Sequence, residues 1–244
     1  MKPKRVRISL LLSAAAVMLA LMAGGYHYIN NGYQAQETAL AALASGPEIR
    51  VSTRDDMVIF MPEEPSAGLI FYPGGKVDHL AYAPLMRGLA EEGIACALLE
   101  MPLDLAVLDM DAAEKARENI PEIDTWYLAG HSLGGAMAAA YAAGCPEEYA
   151  GLVLLAAYST KDLSCSDMKV LSLYGTEDRV LNMEQYFSCR SNLPADTVEA
   201  VLEGGNHAQF GSYGPQEGDG EASVTVQEQL AWSVTAISDF ILNI

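Results

Sequence analysis

From residue 57 onward, short and almost uninterrupted apolar runs alternate with stretches of helical periodicity. The runs are Met57–Met61, Gly68–Tyr72, Ile94–Glu100, Thr125–Gly130, Gly151–Tyr158, Lys169–Gly175 and Thr197–Glu203. Strands this apolar need cover on both faces, which a mostly parallel sheet with helices on either side provides. The helical stretches fall between them, at His79–Gly93, Met110–Ile120, Leu133–Gly144, Asn182–Leu193 and Val224–Ile244. The pattern predicts a three-layer α/β/α sandwich, and 244 residues suit one such domain without disulfides or metals. The expected organisation is an apolar N-terminal segment over 1–30, a spacer over 31–47 and the α/β domain over 48–244.

Where the Thr125–Gly130 strand gives way to a helix the chain reads Gly130-His131-Ser132-Leu133-Gly134-Gly135. A serine between glycines at a strand-to-helix turn is the pattern of a sharp elbow that exposes the hydroxyl. Glycines on either side leave room where a side chain would collide. The amide that follows, Leu133 N–H, opens a helix and faces developing negative charge.

A serine needs a base to become a nucleophile. The histidines are His27, His79, His131 and His207. His27 is in the N-terminal segment, His79 opens a helix before the serine, and His131 points away from the neighbouring hydroxyl. His207, in a loop after the last strand, is the expected base. An orienting acid is expected past the strand ending at Gly175, where Glu177 and Asp178 are adjacent. Asp178 leads into the next helix and is preferred. The loop after Gly68–Tyr72 reads "YPGGKVD". Its Gly75 N–H is the expected second oxyanion donor, with Lys76 N–H as the alternative.

These residues together resemble the α/β-hydrolase superfamily, in particular its compact branch near the dienelactone hydrolases. "FYPGGKVD", "GHSLGG", "YGTEDRV" and "GGNHAQFG" are similar to that family's oxyanion loop, nucleophile elbow, acid turn and histidine loop. The resemblance covers Glu48 to Ile244 and implies a serine hydrolase, with Ser132, Asp178 and His207 as triad and Leu133 and Gly75 as oxyanion hole. Dienelactone hydrolases proper carry a cysteine nucleophile, whereas this chain has Ser132. No long insertion separates Tyr158 from Lys169, so a helical lid has no obvious place. Lys76, Glu100, Gln209 and Tyr213 are candidate substrate contacts. No cofactor or metal is expected: no two of Cys96, Cys145, Cys165 and Cys189 are spaced as C-x-x-C. Cys96 lies in an apolar run and reads as a buried small hydrophobe, and a Cys165–Cys189 bridge is open outside the cytoplasm.

Lys2, Lys4, Arg5 and Arg7 precede an uncharged run from Ile8 to Gln36. That is a basic head on an apolar core, extended enough to span a bilayer. The preferred reading is a signal anchor that places the catalytic domain outside the cytoplasm, with secretion after cleavage near Gly25 as the alternative. Beyond residue 7 the chain has 10 Lys and Arg against 32 Asp and Glu, a balance of −22. Such a body is repelled by nucleic acid and by anionic lipid. The expected activity is hydrolysis of small acyl esters. A catalytically silent binding protein, or a peptidase or transacylase with the same triad, are the competing readings.

Overall fold

The computed structural model describes residues 31–243 together with Ser13, Met18, Gly24 and Gly25. The expected anchor or signal segment therefore lies outside the described residues. Among the described residues no helix is long and apolar enough to cross a membrane. One compact unit begins at Tyr33.

The strands are β1 (Ile49–Arg54), β2 (Met57–Pro62), β3 (Ala67–Tyr72), β4 (Ile94–Leu99), β5 (Trp126–His131), β6 (Gly151–Leu155), β7 (Lys169–Gly175) and β8 (Val198–Leu202). They form one sheet in the order β1-β2-β4-β3-β5-β6-β7-β8. β2 runs antiparallel to β1 and to β4, and every pairing from β4 through β8 is parallel. The strands from β2 to β6 are buried along their whole length, while β1 and β8 at the edges are partly exposed. β1, "IRVSTR", was not expected from the apolar pattern because only its first residue is buried. The run that begins at Gly151 ends as a strand at Leu155, where Ala156 takes a positive φ of 47°.

Alternation along the strands sends successive side chains to opposite faces. Leu69 and Phe71 of β3 join Cys96 and Leu98 of β4 on one face, covered by α2 (Ala83–Glu91) and α6 (Val226–Leu242). Ile70 and Tyr72 join Ala95, Ala97 and Leu128 on the other, covered by α3 (Ala112–Asn119) and α4 (Leu133–Ala142). α5 (Met183–Cys189) packs there too, its Tyr186 hydroxyl meeting Ser172 Oγ at 2.9 Å. The expected helix at 79–93 starts as a 3₁₀ turn over His79–Tyr82, and the one at 182–193 ends in a 3₁₀ turn over Arg190–Asn192. All four cysteines are free, Cys96 among them fully buried.

The segment expected as a spacer is docked. It contains α1 (Glu37–Ala41), whose Ala39 is buried, and the Arg87 Nε donates to the Ala42 carbonyl at 2.7 Å.

α6 starts with a reciprocal cap. Thr225 Oγ1 accepts from Glu228 N–H at 3.2 Å, and Glu228 Oε2 accepts from Thr225 N–H at 2.7 Å. Losing such a cap costs about 1 kcal/mol. Thr225→Ala is therefore expected to lower the stability by about that amount in urea unfolding, with the slope of the transition unchanged.

Candidate active site

Ser132 sits between β5 and α4 with φ 53° and ψ −122°. A non-glycine residue held there costs about 1–3 kcal/mol and persists only where its surroundings impose it. The surroundings are two close approaches. A Cβ on Gly134 would lie 2.3 Å from the Tyr72 and Pro73 carbonyl oxygens, and one on Gly130 would lie 2.6 Å from the Gly134 carbonyl carbon. Only hydrogen fits at either place. Gly135 is equally restricted, its Cβ position being 2.6 Å from Ala157 Cβ.

This tight turn carries Leu133 to the loop after β3, where a Cβ on Gly75 would meet Leu133 Cδ2 at 2.9 Å. Leu133 is the first residue of α4, so its N–H has no partner within the helix. Neighbouring amides of the β3 loop are committed. Gly74 N–H donates to Tyr82 Oη at 3.0 Å, and Lys76 N–H donates to the Asp104 carbonyl at 2.9 Å. Lys76 N–H, the alternative donor, is thus already used. Among the described residues Gly75 N–H carries no such commitment, and it lies beside Leu133.

His207 and Asp178 are brought together from separate loops. His207 Nδ1 and Asp178 Oδ2 are 2.9 Å apart, with both side chains almost wholly buried. Asp178 Oδ1 accepts from Val180 N–H at 2.9 Å and Leu181 N–H at 2.7 Å. A carboxylate so engaged accepts the Nδ1 proton, which leaves a lone pair on His207 Nε2. That nitrogen is buried and has no hydrogen-bond partner among the described residues. Glu177 is turned outward to Arg179, 3.5 Å away.

The His207 ring lies against His131, the residue just before the serine, with centroids 4.5 Å apart. His131 Nδ1 is 2.8 Å from Tyr82 Oη. That oxygen also accepts from Gly74 N–H, so the Tyr82 hydroxyl bridges the β3 loop and the His131 ring. His131 thereby links the β3 loop to the elbow. Burial, reinforced by the neighbouring His207, pushes the His131 pKa well below the ordinary range, and the His207 carbonyl only partly opposes this. His131 stays neutral and presents no charge to its neighbour.

Two residues brace the pair through backbone groups of its loops. Asp219 Oδ1 accepts from His207 N–H at 3.3 Å and Arg179 N–H at 3.2 Å, while Oδ2 accepts from Ala208 N–H at 2.8 Å. One carboxylate thus ties the histidine loop to the acid turn. Gln229 of α6 grips Asn206 by both backbone groups, accepting its N–H at 3.0 Å and donating to its carbonyl at 2.7 Å. Sequence reasoning missed both. Gln229 left a trace as a polar residue on the buried stripe that Leu230, Ser233 and Ile237 define. Asp219 left none, being the middle one of three acids from Glu217 to Glu221.

The expected substrate contacts are dispersed. Tyr213 is buried, its hydroxyl donating to Gln216 Oε1 at 3.0 Å and its ring 5.5 Å from that of Tyr33. The Gln209 amide, in the orientation that gives its nitrogen acceptors, donates to the Val224 and Thr225 carbonyls at 3.2 and 3.3 Å. Glu100 is exposed at the end of β4, and Lys76 is half-buried beside Gly75. Between these the loop after β4 exposes Val107 and Leu108, both more than half accessible.

An elbow serine at a helix N-terminus, beside a buried acid–histidine pair on an eight-stranded sheet of this order, defines a hydrolase-type α/β architecture. The profile of the alpha/beta hydrolase family matches residues 68–231, and the chain belongs to that family. A predicted CIB-like hydrolase from Thermoplasma acidophilum is similar over 80% of this chain and 100% of its own, with 13% identity and a TM-score of 0.57. The esterase domain of a Rhodothermus marinus protein shares 14% identity at a TM-score of 0.58, over 79% of this chain and 97% of its own. Est1E from Butyrivibrio proteoclasticus shares 15% at 0.54, over 80% and 98%. No curated protein matches the sequence.

The elbow is tested by Gly134→Ala. Because the new methyl meets backbone oxygens, it has no side chain to push aside. The expected result is a loss of about 3 kcal/mol or more in chemical denaturation.

Proposed function

We propose that this hydrolase cleaves small acyl esters through an acyl-enzyme on Ser132. The observation that carries the reading is the buried Asp178–His207 bond, which leaves His207 Nε2 unpartnered on a ring that lies against His131, the residue before the strained elbow serine. In this reading His207 Nε2 takes the proton as Ser132 Oγ attacks the ester carbonyl. Leu133 N–H and Gly75 N–H receive the oxyanion. His207 then gives the proton to the departing alcohol, and water attacks the acyl-enzyme by the same route in reverse. Ser132 Oγ and His207 Nε2 are not hydrogen-bonded in this state, and such bonds commonly tighten only when substrate binds. The likeness to solved esterases agrees with ester chemistry.

Short acyl chains fit what borders the site. Residues 156–168, between β6 and β7, contain no helix that could form a lid. Val107 and Leu108 are themselves mostly exposed, so a long chain laid on them stays largely wet. Each CH₂ adds about 0.8 kcal/mol only when buried. We also propose that residues 1–30 anchor the chain in a membrane with the catalytic domain outside the cytoplasm. The basic head and uncharged run from Ile8 to Gln36 support this.

Steady-state hydrolysis of p-nitrophenyl esters tests the proposal. Wild type is expected to turn over acetyl to butyryl esters with the highest kcat/KM. Ser132→Ala should abolish the activity, and Asp178→Asn should lower kcat by up to about 10⁴-fold. A well-folded wild type without hydrolysis would favour a silent binding protein, and turnover of amides instead of esters a peptidase.

The brace at Asp219 is tested in the same assay. Misplacing a catalytic group by about 1 Å can cost about 100-fold. Asp219→Ala is expected to lower kcat by about 10- to 100-fold while KM stays within about twofold.

A further inference from the structure

The segment from Tyr33 to Thr38 is hydrogen-bonded to both loops that meet at the candidate active site. Tyr33 pairs in parallel with Val77. Its N–H donates to the Lys76 carbonyl at 2.7 Å, and its carbonyl accepts from Asp78 N–H at 2.9 Å. On the other side, Gln36 N–H donates to the Ser212 carbonyl at 2.9 Å, Thr38 Oγ1 meets Ser212 Oγ at 2.8 Å, and Tyr33 Oη accepts from Glu217 N–H at 3.1 Å. Ser212 and Glu217 follow His207 in the chain, while Lys76 follows Gly75. One short strap therefore staples the loop of the oxyanion donor to the loop of the base.

Lys76 gives the strap its consequence. Its φ is 63°, the left-handed region that disfavours a side chain. Such a conformation persists where neighbours over-determine it. Here the backbone is held from both sides: its N–H by the Asp104 carbonyl at 2.9 Å, its carbonyl by Tyr33 N–H. The Lys76–Val77 peptide held by Tyr33 also donates, through Val77 N–H, to the Gly74 carbonyl at 3.3 Å. That carbonyl belongs to the same planar peptide as Gly75 N–H, so the direction of this N–H is set with it. The strap also lies outside residues 68–231, the stretch that matches the family profile.

We propose that Tyr33 is a positioning residue for the oxyanion hole, acting through Lys76 on the Gly75 N–H. The proposal rests on the reading of Gly75 as oxyanion donor. A misdirected donor weakens the transition state more than the ground state, so the effect belongs in kcat and in the affinity of a transition-state analogue.

The test uses the full-length chain in detergent and three variants. Tyr33→Pro removes the N–H that Lys76 accepts; Tyr33→Gly keeps it but loosens the strap and removes the ring; Tyr33→Phe removes only the hydroxyl. For each, kcat and KM for p-nitrophenyl acetate and the inhibition constant of a phenylboronic acid are measured, with circular dichroism to verify folding. Complete loss of one oxyanion donor costs about 100- to 1000-fold, and a misaimed donor is expected to cost about tenfold. Tyr33→Pro should thus lose about tenfold in kcat and in boronate affinity together, with KM within about twofold. Tyr33→Gly should show the same paired loss at several-fold, and Tyr33→Phe should resemble wild type. If Tyr33→Pro does not fold, Tyr33→Gly decides. A folded Tyr33→Pro, or a folded Tyr33→Gly where Tyr33→Pro does not fold, that keeps both kcat and boronate affinity within twofold overturns the role of Tyr33 and leaves the hydrolase reading standing. A folded wild type inert to both ester and boronate overturns the two together.

Discussion

Everything at the site depends on how closely α4 approaches the end of β3. Gly134 lies against the Tyr72 and Pro73 carbonyls with no room for a methyl group. That approach forces Ser132 into its strained conformation. It also brings the first residue of α4 beside Gly75. A looser junction would relax the serine and separate these two residues at once. The rigidity comes from the parallel register of β3 and β5, Tyr72 opposite Gly130, which fixes where both strands end.

Around this junction the polar groups are braced mostly by backbone. Asp178 is held by two amides, Asp219 ties His207 and Ala208 to Arg179, Gln229 holds both ends of the Asn206 peptide, and Tyr82 joins Gly74 to His131. Buried polar groups that are fully paired make a network with one low-energy arrangement. The unpaired exceptions among the described residues are the Nε2 atoms of His131 and His207 and the Tyr149 hydroxyl. Of these, His207 Nε2 is the one on a ring whose other nitrogen is bonded to a buried carboxylate.

Much of this was legible in the sequence because the elbow, acid turn and histidine loop each occupy a few consecutive residues at strand ends. Glycines flanking Ser132 record a steric requirement, and buried parallel strands record themselves as apolar runs. What escaped depends on relations between distant residues. β1 is an edge strand whose exposed side chains carry no apolar pattern. The Tyr33 strap is made largely of backbone bonds, which almost any sequence could form. Asp219 acts by accepting amides from two other loops, and nothing in its own neighbourhood marks it. Tyr213 misled for the opposite reason: a tyrosine in a polar loop suggested a substrate contact, whereas its ring packs between Tyr33 and Tyr82.

The central claim is that Ser132 is a nucleophile activated by His207 and Asp178. The most direct measurement is treatment of the full-length protein with a fluorophosphonate, followed by peptide mapping in a mass spectrometer. The account predicts one phosphonate adduct, on the peptide that contains Ser132, and a strong slowing of its formation in His207→Ala. An adduct on a different residue, or an unmodified Ser132 in folded wild type, would contradict it.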